Sequence, residues 1–529
     1  MSDTPPNEDT PPGEDAQPVH APGEDAQPVE APGENAEPAG APDGDAEPVE
    51  AHAGKVSPRR ALIDVAVQIV GQVMNLSLGV VVTLLIVRTL GATRFGEWST
   101  IFAVSQLVGY FASLGLAGVV VRFIAAEPAR EAEWLGGYAS LTAALTLPVM
   151  VIYIVVTQII SRSYEMRVAS LILALSFPGG VLSTFGTIFR MRVRNDISVA
   201  FVTANSVLWG GAVIVITGQN GHMIPLAFAF VSVLLLIQGS QALLATRMGR
   251  VRLRGSRAMW PAMMRVGFAV GAGTLLTLAY ARIDQVLVFE LAPHRAEAGI
   301  YAAVYRILDT SAFIPIAVMT TLFPIISAAY PTNLVRVRRL VQLVVDYLAV
   351  FSLPIFAFSV VASRPLLHLL FGPPFERGAN ALPVLMGAYV VICFGYVSGN
   401  LVITTDLQRR YVNYAIVGLV VNVGFNVVLI PIYGYIAAAW ITLLTNLVVI
   451  IPALRSVLRK LDTRIVPWRL LRTGLAAGIS GALVALLQGA GAPLVGLVAA
   501  MVVSYPVALF SLKVVDIDEL RRVLRQRTA

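Results

Sequence analysis

From about residue 61 to the end, the chain alternates long apolar stretches with short polar ones. The runs fall near 61–88, 95–121, 136–160, 168–189, 198–218, 223–245, 262–290, 298–330, 337–362, 382–404, 411–431, 434–454, 470–489 and 491–513. Most reach the roughly 20 residues that a helix needs to cross a hydrocarbon core. Because every backbone N–H and C=O must be satisfied inside lipid, runs of this length imply helices rather than strands. The pattern predicts an all-α polytopic membrane protein with about fourteen transmembrane helices. The eighth run is longer and contains Pro315 and Pro324, so a kinked or broken helix is expected there.

A weak internal repeat divides these spans. LGATRFGEWSTIFAVSQLV, around residues 90–108, is similar to LAPHRAEAGIYAAVYRILD, around 291–309, and each joins one span to the next. RVRND after the fourth span also sits where TDLQRR sits after the tenth. Spans 1–6 (residues 56–250) and 7–12 (251–461) therefore read as two pseudo-symmetric six-helix halves. Residues 462–529 add two further helices. Repeats of this kind are typical of transporters that alternate access around a central site.

Composition sharpens the picture. The chain of 529 residues is 56% hydrophobic and 13% charged, with a mean hydropathy of +0.73, which excludes an ordinary soluble enzyme. Residues 1–54 hold 14 of the 32 acidic residues and no Lys or Arg, so the remainder carries a net charge of +21. In a soluble chain that balance would suggest nucleic acid, but here the arginines lie in short loops between apolar runs and read as orientation signals. Thirty of the 39 basic residues collect on one side of the alternating loops. The other nine (Arg88, Arg94, Arg162, Arg167, Arg282, Arg295, Arg306, Arg364 and Arg377) lie on the opposite side or within spans. A missed or invented helix would scramble that alternation, so the count supports fourteen spans with both termini in the cytoplasm. The six arginines between 247 and 265 read as a topological anchor, with an anionic-lipid surface as the alternative. The acidic, Pro-rich N-terminus is no secretory signal peptide, so the first span is expected to direct insertion.

Within residues 1–55, four ten-residue repeats (PPGEDAQPVH, APGEDAQPVE, APGENAEPAG, APDGDAEPVE) combine Pro, Gly and acidic residues without an aromatic. Such a segment cannot bury enough apolar surface to offset its ordering entropy, which predicts a disordered, solvated tail rather than a docking module. The single cysteine, Cys393, lies in an apolar run, so neither a disulfide nor a cysteine metal site is expected. The five histidines form no ligand spacing.

Charges inside spans carry the chemistry. Arg282 and Asp284 lie late in span 7, and Arg306 and Asp309 early in span 8. Each costs roughly 2.5–3.5 kcal/mol near the bilayer centre if unpaired, so all four must pair or face a watery cavity. Arg306 and Asp309, three apart on one helix face, are expected to pair with each other. Arg282 and Asp284 point to different faces and need other partners. A buried structural ion network and a substrate site are both open readings. Gln68, Gln72 and Asn75 form a polar stripe on span 1 that faces either another helix or the cavity. Arg88 reads as a snorkelling residue at the outer interface. Arg122, ending span 2, reads as a positive-inside residue or as an entrance contact for a diphosphate.

Three segments carry a resemblance. LGATRFGEWSTIFAVSQLVGYFASLGLAGVVVRFIA (90–125) resembles the loop and second helix of polysaccharide-lipid flippases of the multidrug/oligosaccharidyl-lipid/polysaccharide exporter superfamily. YARIDQVLVFELAPHRAEAGIYAAVYRILDTSAFIPIAVMTTLFPIISAAY (280–330) is similar to that family's seventh and eighth helices. LLFGPPFERGANALPVL (369–385), with the helix pair running to NVVLIPIYGYIAAAWITLL (426–444), completes the match. Spans 13 and 14 fit the fourteen-helix members. The resemblance implies a flippase that moves an undecaprenyl-diphosphate-linked oligosaccharide from the cytoplasmic to the outer leaflet of the cytoplasmic membrane. Its implied partners are the lipid-linked glycan, membrane lipids and the polysaccharide polymerase or export machinery, not nucleic acid. A lipid II flippase and a cation-coupled drug exporter are the alternatives within the superfamily.

Other classes lack their motifs. The only Gly-Lys pair, Gly54-Lys55, lies in the tail, so no phosphate-cradling G-x-x-x-x-G-K-[ST] loop exists and no cofactor is expected. A membrane glycosyltransferase or polymerase needs a catalytic cluster on a sizeable outer loop. The longest outer loop, near 362–381, carries Arg364, His368, Glu376 and Arg377 without a carboxylate pair. A transported diphosphate matches planar Arg donors, which makes Arg282 and Arg306 the candidate phosphate contacts. Asp284 and Asp309 are then expected to balance them when the cavity holds no anion.

Overall fold

A computed structural model describes residues 58–191, 195–219, 221–248, 256–330 and 332–514. The tail repeats of residues 11–50 lie outside them. Among the described residues the regular structure is helical throughout: α1 (Pro58–Ser113), α2 (Leu116–Ala126), α3 (Glu131–Ile160), α4 (Tyr164–Ala174), α5 (Phe177–Thr184), α6 (Thr187–Met191), α7 (Asn195–Gly218), α8 (Met223–Met248), α9 (Trp260–Leu291), α10 (Glu297–Ser311), α11 (Phe313–Ala329), α12 (Leu334–Phe371), α13 (Leu382–Thr404), α14 (Gln408–Tyr433), α15 (Tyr435–Lys460), α16 (Pro467–Gly489) and α17 (Leu494–Ser511). Among the described residues thirteen stretches are long and apolar enough to cross a membrane, and the first, Met74–Ala126, contains two spans. Counted so, the total is the expected fourteen. This is a multi-pass membrane protein.

Spans 1 and 2 join without a loop. Within α1 the chain turns at Gly91, whose φ of 68° is open to glycine and strained for other residues. Span 2 then breaks at Leu114 and Gly115, both at positive φ, before α2 continues it.

Span 8 breaks ahead of Pro315 as expected, whereas Pro324 stays inside α11, and tyrosines cover carbonyls freed by Pro315 and Pro354. Pro315 cannot donate to the carbonyl four residues back, and α10 ends at that residue, Ser311. The Tyr389 hydroxyl of α13 donates to the Ser311 carbonyl at 3.0 Å. Pro354 likewise frees the Val350 carbonyl of α12, and Tyr505 of α17 donates to it at 2.8 Å. Freed backbone groups at membrane depth need such substitutes. The second repair also docks span 14 on span 9. Around it, Ala362, Ala476, Ala477, Val484 and Leu497 form an apolar cluster shared by α12, α16 and α17.

The stretch expected as a long loop near 362–381 is mostly helical. α12 runs on to Phe371, and a 3₁₀ turn covers Pro373–Asn380. Arg88 does not simply snorkel there. It donates through Nε to the Leu370 carbonyl at 2.9 Å and through Nη2 to that of Leu369, capping the carbonyl end of α12.

Candidate functional site

A cavity of about 280 Å³ lies where spans 1, 2, 7 and 8 meet, between Thr83 of α1 and Arg282, Arg306 and Asp309 of α9 and α10. Aromatic rings of Trp98, Phe102, Trp209 and Phe230 form its other wall, packed edge to face at 5.0 and 5.4 Å between ring centres. The lining is thus apolar toward the first spans and cationic toward α9 and α10.

The arginine Arg282 is bound to Asp309 across α9 and α10, with Nη1 3.0 Å from Oδ2 and Nη2 3.4 Å from Oδ1. Its guanidinium also lies 5.6 Å from the Tyr305 ring centre. Its buried Nε has no partner. Arg306 is exposed to the cavity and reaches across it, Nε to Thr83 Oγ1 at 3.3 Å. The expected Arg306–Asp309 pair within span 8 is therefore not formed. Spacing of three places both residues on one helix face, but Arg282 of the neighbouring helix offers Asp309 a two-point fork that Arg306, extended toward span 1, does not.

Nor does Asp284 balance an arginine. It is fully buried and accepts from Thr442 Oγ1 at 2.7 Å and from Asn426 Nδ2 at 2.9 Å, with the Tyr301 hydroxyl 3.3 Å away. Asn426 Nδ2 also reaches Asn422 Oδ1 at 3.2 Å, and Asn422 donates to Thr445 Oγ1 at 3.3 Å. Among the described residues this shell contains no basic partner. Asn426 Oδ1 is buried without a donor. The carboxylate is thus held by neutral donors from α10, α14 and α15.

The remaining sequence candidates lie elsewhere. Asn75 donates to Thr203 Oγ1 of α7 at 3.4 Å, a contact between spans 1 and 5, and does not line this cavity. Arg122 is exposed on α2, also away from it. The side chains of Gln68 and Gln72 fall outside the described residues.

Span 2 meets its neighbours closely at two places beyond the cavity. At the arginine-poor end, α1 and α10 touch through backbone: a Cβ on Gly299 would lie 1.7 Å from the Ala92 carbonyl oxygen, and one on Gly96 2.8 Å from Gly299 N. Gln285 ties the same place, donating to Thr100 Oγ1 at 3.3 Å and the Ala298 carbonyl at 3.2 Å. Nearby, Arg162 donates to the Glu290 carbonyl at 3.0 Å. At the arginine-rich end, the Tyr110 hydroxyl donates to the Gly271 carbonyl at 3.1 Å. Span 2 therefore packs against span 8 at one place and against span 7 at the other.

Sequence reading missed the partners of Asp284, Thr83 and the Gln285 tie. The signal for the first was present. Asn422 and Asn426, and Thr442 and Asn446, each recur four apart inside otherwise apolar spans, so each pair shares a helix face.

Residues 61–329, just over half of the chain, match the family described as polysaccharide biosynthesis protein. The chain belongs to that family. A probable flippase, AglR of Haloferax volcanii, is 24% identical over 416 residues, covering 75% of this chain and 83% of the relative. Among solved structures, the lipid II flippase MurJ in an inward closed conformation superposes with a TM-score of 0.66 at 12% identity, covering 83% of this chain and 97% of MurJ. An inward-facing multidrug-resistance MATE transporter of the same superfamily gives 0.57 at 15% identity, covering 73% and 94%. The chain thus has the fold of the superfamily that its segments resemble, with the length of a MurJ chain nearly fully spanned.

Proposed function

We propose that this member of the polysaccharide biosynthesis family is a flippase that carries undecaprenyl-diphosphate-linked oligosaccharide from the cytoplasmic to the outer leaflet, by alternating access without ATP. The observation that carries this reading is the pair of guanidiniums, Arg282 and Arg306, that line one cavity between the two groups of spans. The outstretched Arg306, whose Nε meets Thr83, offers its guanidinium to phosphate oxygens. A cavity of this size, below the roughly 300–1,000 Å³ of drug-sized ligand pockets, holds a diphosphate but not a whole oligosaccharide. The glycan therefore enters only as the lobes part. An exporter of cationic drugs is disfavoured, because two arginines in the lumen repel such cargo.

With the arginine-rich side in the cytoplasm, as the charge count argues, the Gly96–Gly299 contact is the outer gate and Tyr110–Gly271 the inner one. Reporter fusions after residue 460 and at residue 529 should read as cytoplasmic, and one after residue 295 as external. An inside-negative potential favours outward movement of an unneutralised anion by about 2.3 kcal/mol per charge per 100 mV. The polymerase and export machinery are the partners that such a product requires.

The test is Arg306→Lys against Arg306→Ala in a polysaccharide export assay normalised for protein in the membrane. Among the described residues Arg306 has no carboxylate partner, so its loss orphans no charge among them. A phosphate contact predicts partial export with Lys and loss with Ala. Normal export by the Ala variant would remove Arg306 from the substrate path.

A further inference from the structure

A pocket of about 720 Å³ opens at the end of the molecule that carries the Gly96–Gly299 contact, between α12, the 3₁₀ turn Pro373–Asn380 and the first residue of α15. Two observations tie it to that contact. Tyr435, which lines the pocket, bonds through its backbone N to Glu297 Oε2 at 3.0 Å, two residues before Gly299. The turn itself lies on α10, since a Cβ on Gly378 would come within 2.6 Å of Val304 Cγ2 and 3.2 Å of Ile300 Cγ2. The pocket and the α10 side of the contact therefore belong to one packed unit.

Its side chains divide into held and free. Glu376 is held: Oε1 meets His368 Nδ1 at 2.6 Å, and Arg364 Nε lies 3.6 Å from Oε2. Arg377 accepts the Tyr435 hydroxyl at 2.6 Å, but through its backbone carbonyl. Among the described residues, neither the Arg377 guanidinium nor the Asn380 amide makes a hydrogen bond, and both line the pocket. With the carboxylate taken by His368 and Arg364, the unengaged charge is that of Arg377. A planar guanidinium matches a carboxylate through two parallel hydrogen bonds, and an amide both donates to and accepts from hydroxyls. A carboxylate beside hydroxyls is the chemistry of an acidic sugar.

We propose that this pocket receives an acidic sugar of the transported glycan on the outer side of the gate, and so makes the chain selective for glycans that carry a carboxylate. The assignment rests on the flippase reading. A central cavity of about 280 Å³ leaves the glycan outside it, whereas about 720 Å³ lies within the range of ligand pockets and admits sugar rings. Because the pocket is packed on α10, it stays at the rim of the path as the gate parts and offers the emerging glycan a contact there. Inorganic phosphate and an anionic lipid headgroup share the anion chemistry and are separate arms of the test.

The full chain in phosphatidylcholine nanodiscs is titrated with a glucuronate-containing disaccharide and with its carboxyl-reduced counterpart, and binding is read by calorimetry and saturation-transfer NMR. The acidic disaccharide should bind about 10-fold more tightly, the weight of one charge-assisted contact. Arg377→Ala should remove that preference and Arg377→Lys keep part of it; the side chain is exposed, so the turn should fold in both. Arg295→Ala, the same charge change at an exposed position outside the pocket, should leave the preference intact. Equal binding of the two disaccharides, a preference that survives Arg377→Ala, or one lost as fully in Arg295→Ala overturns the site. Displacement of the acidic disaccharide by equimolar inorganic phosphate or glycerol phosphate gives the pocket to a free anion or a lipid headgroup and overturns it too. A chain that moves lipid-linked glycan between leaflets but shows no preference contradicts the site alone. One that shows the preference and moves no such lipid contradicts the flippase reading, and the inference falls with it.

Discussion

Asp284 and Asp309 are carboxylates in adjacent helices at neighbouring positions along the C-terminal spans, yet they are held in opposite ways. Asp309 is matched by a formal charge, the fork of Arg282. Asp284 is matched by neutral donors alone, from Thr442 and Asn426 with Tyr301 beside them. The ion pair borders a cavity and is partly exposed, at 26% and 27% for its two side chains, whereas Asp284 is fully buried. A charge pair at a cavity wall can exchange partners with an anion that enters. A carboxylate fixed by three helices joins α9, α14 and α15 into one body. On the proposed reading, the substrate contact belongs to the surroundings of Asp309 and the rigidity of the C-terminal spans to those of Asp284.

The largest effect is expected from splitting the ion pair. Arg282→Ala removes a charge-assisted contact to the diphosphate worth about 1.5–3 kcal/mol, so export should fall about 10- to 100-fold. It also leaves Asp309 unpaired, at a cost of roughly 2.5–3.5 kcal/mol read as a lower thermal midpoint in detergent. Adding Asp309→Asn should restore the midpoint but not export. Should export return together with stability, the pair is structural and Arg282 does not touch substrate.

A smaller effect on stability comes from the neutral shell. Asp284→Ala strips the acceptor from its donors, at about 0.6 kcal/mol per interhelical hydrogen bond in membranes, or roughly 2 kcal/mol in all. In contrast to the ion pair, no single second substitution should rescue it, because several neutral donors are orphaned rather than one charge. Rescue by any one change, measured as the thermal midpoint, would erase the distinction between the two acids.

A single neutral bond sets the scale below both. Tyr505→Phe exposes the Val350 carbonyl opened by Pro354 and should lower the midpoint by the equivalent of about 0.6 kcal/mol, without changing export per folded molecule. A collapse comparable with Arg282→Ala would show that spans 13 and 14 hold the core together. The smallest effect is expected far from either acid. Deleting residues 1–54, which carry no basic residue and four acidic repeats, should leave export near wild type, and a null phenotype at normal membrane abundance would refute that.

The two acids also mark how far the sequence can be read. Spans are legible because a bilayer demands about 20 apolar residues in a row, and the break of span 8 because Pro315 removes a specific hydrogen bond. The boundary between spans 1 and 2 was legible too, and Gly91, at φ of 68°, is the non-helical residue that makes it. That Arg282, Asp284, Arg306 and Asp309 need partners or water follows from desolvation alone. Which partner each finds does not, because spacing of three defines a shared face and not the helix that faces it. Asp309 thus went to Arg282 rather than Arg306. The Asp284 shell was harder to see, since Asn and Thr in apolar spans look like ordinary helix–helix glue until a buried carboxylate is placed among them.

The most direct measurement reconstitutes the full chain in vesicles loaded with a diphosphate-linked glycan lipid on one leaflet and follows its arrival on the other. Wild type should move the lipid. Arg282→Ala combined with Arg306→Ala and Asp309→Asn, which removes both guanidiniums without orphaning a carboxylate, should be monodisperse and inactive. Transport by that triple variant at the wild-type rate would contradict the assignment of the two arginines as the phosphate contacts.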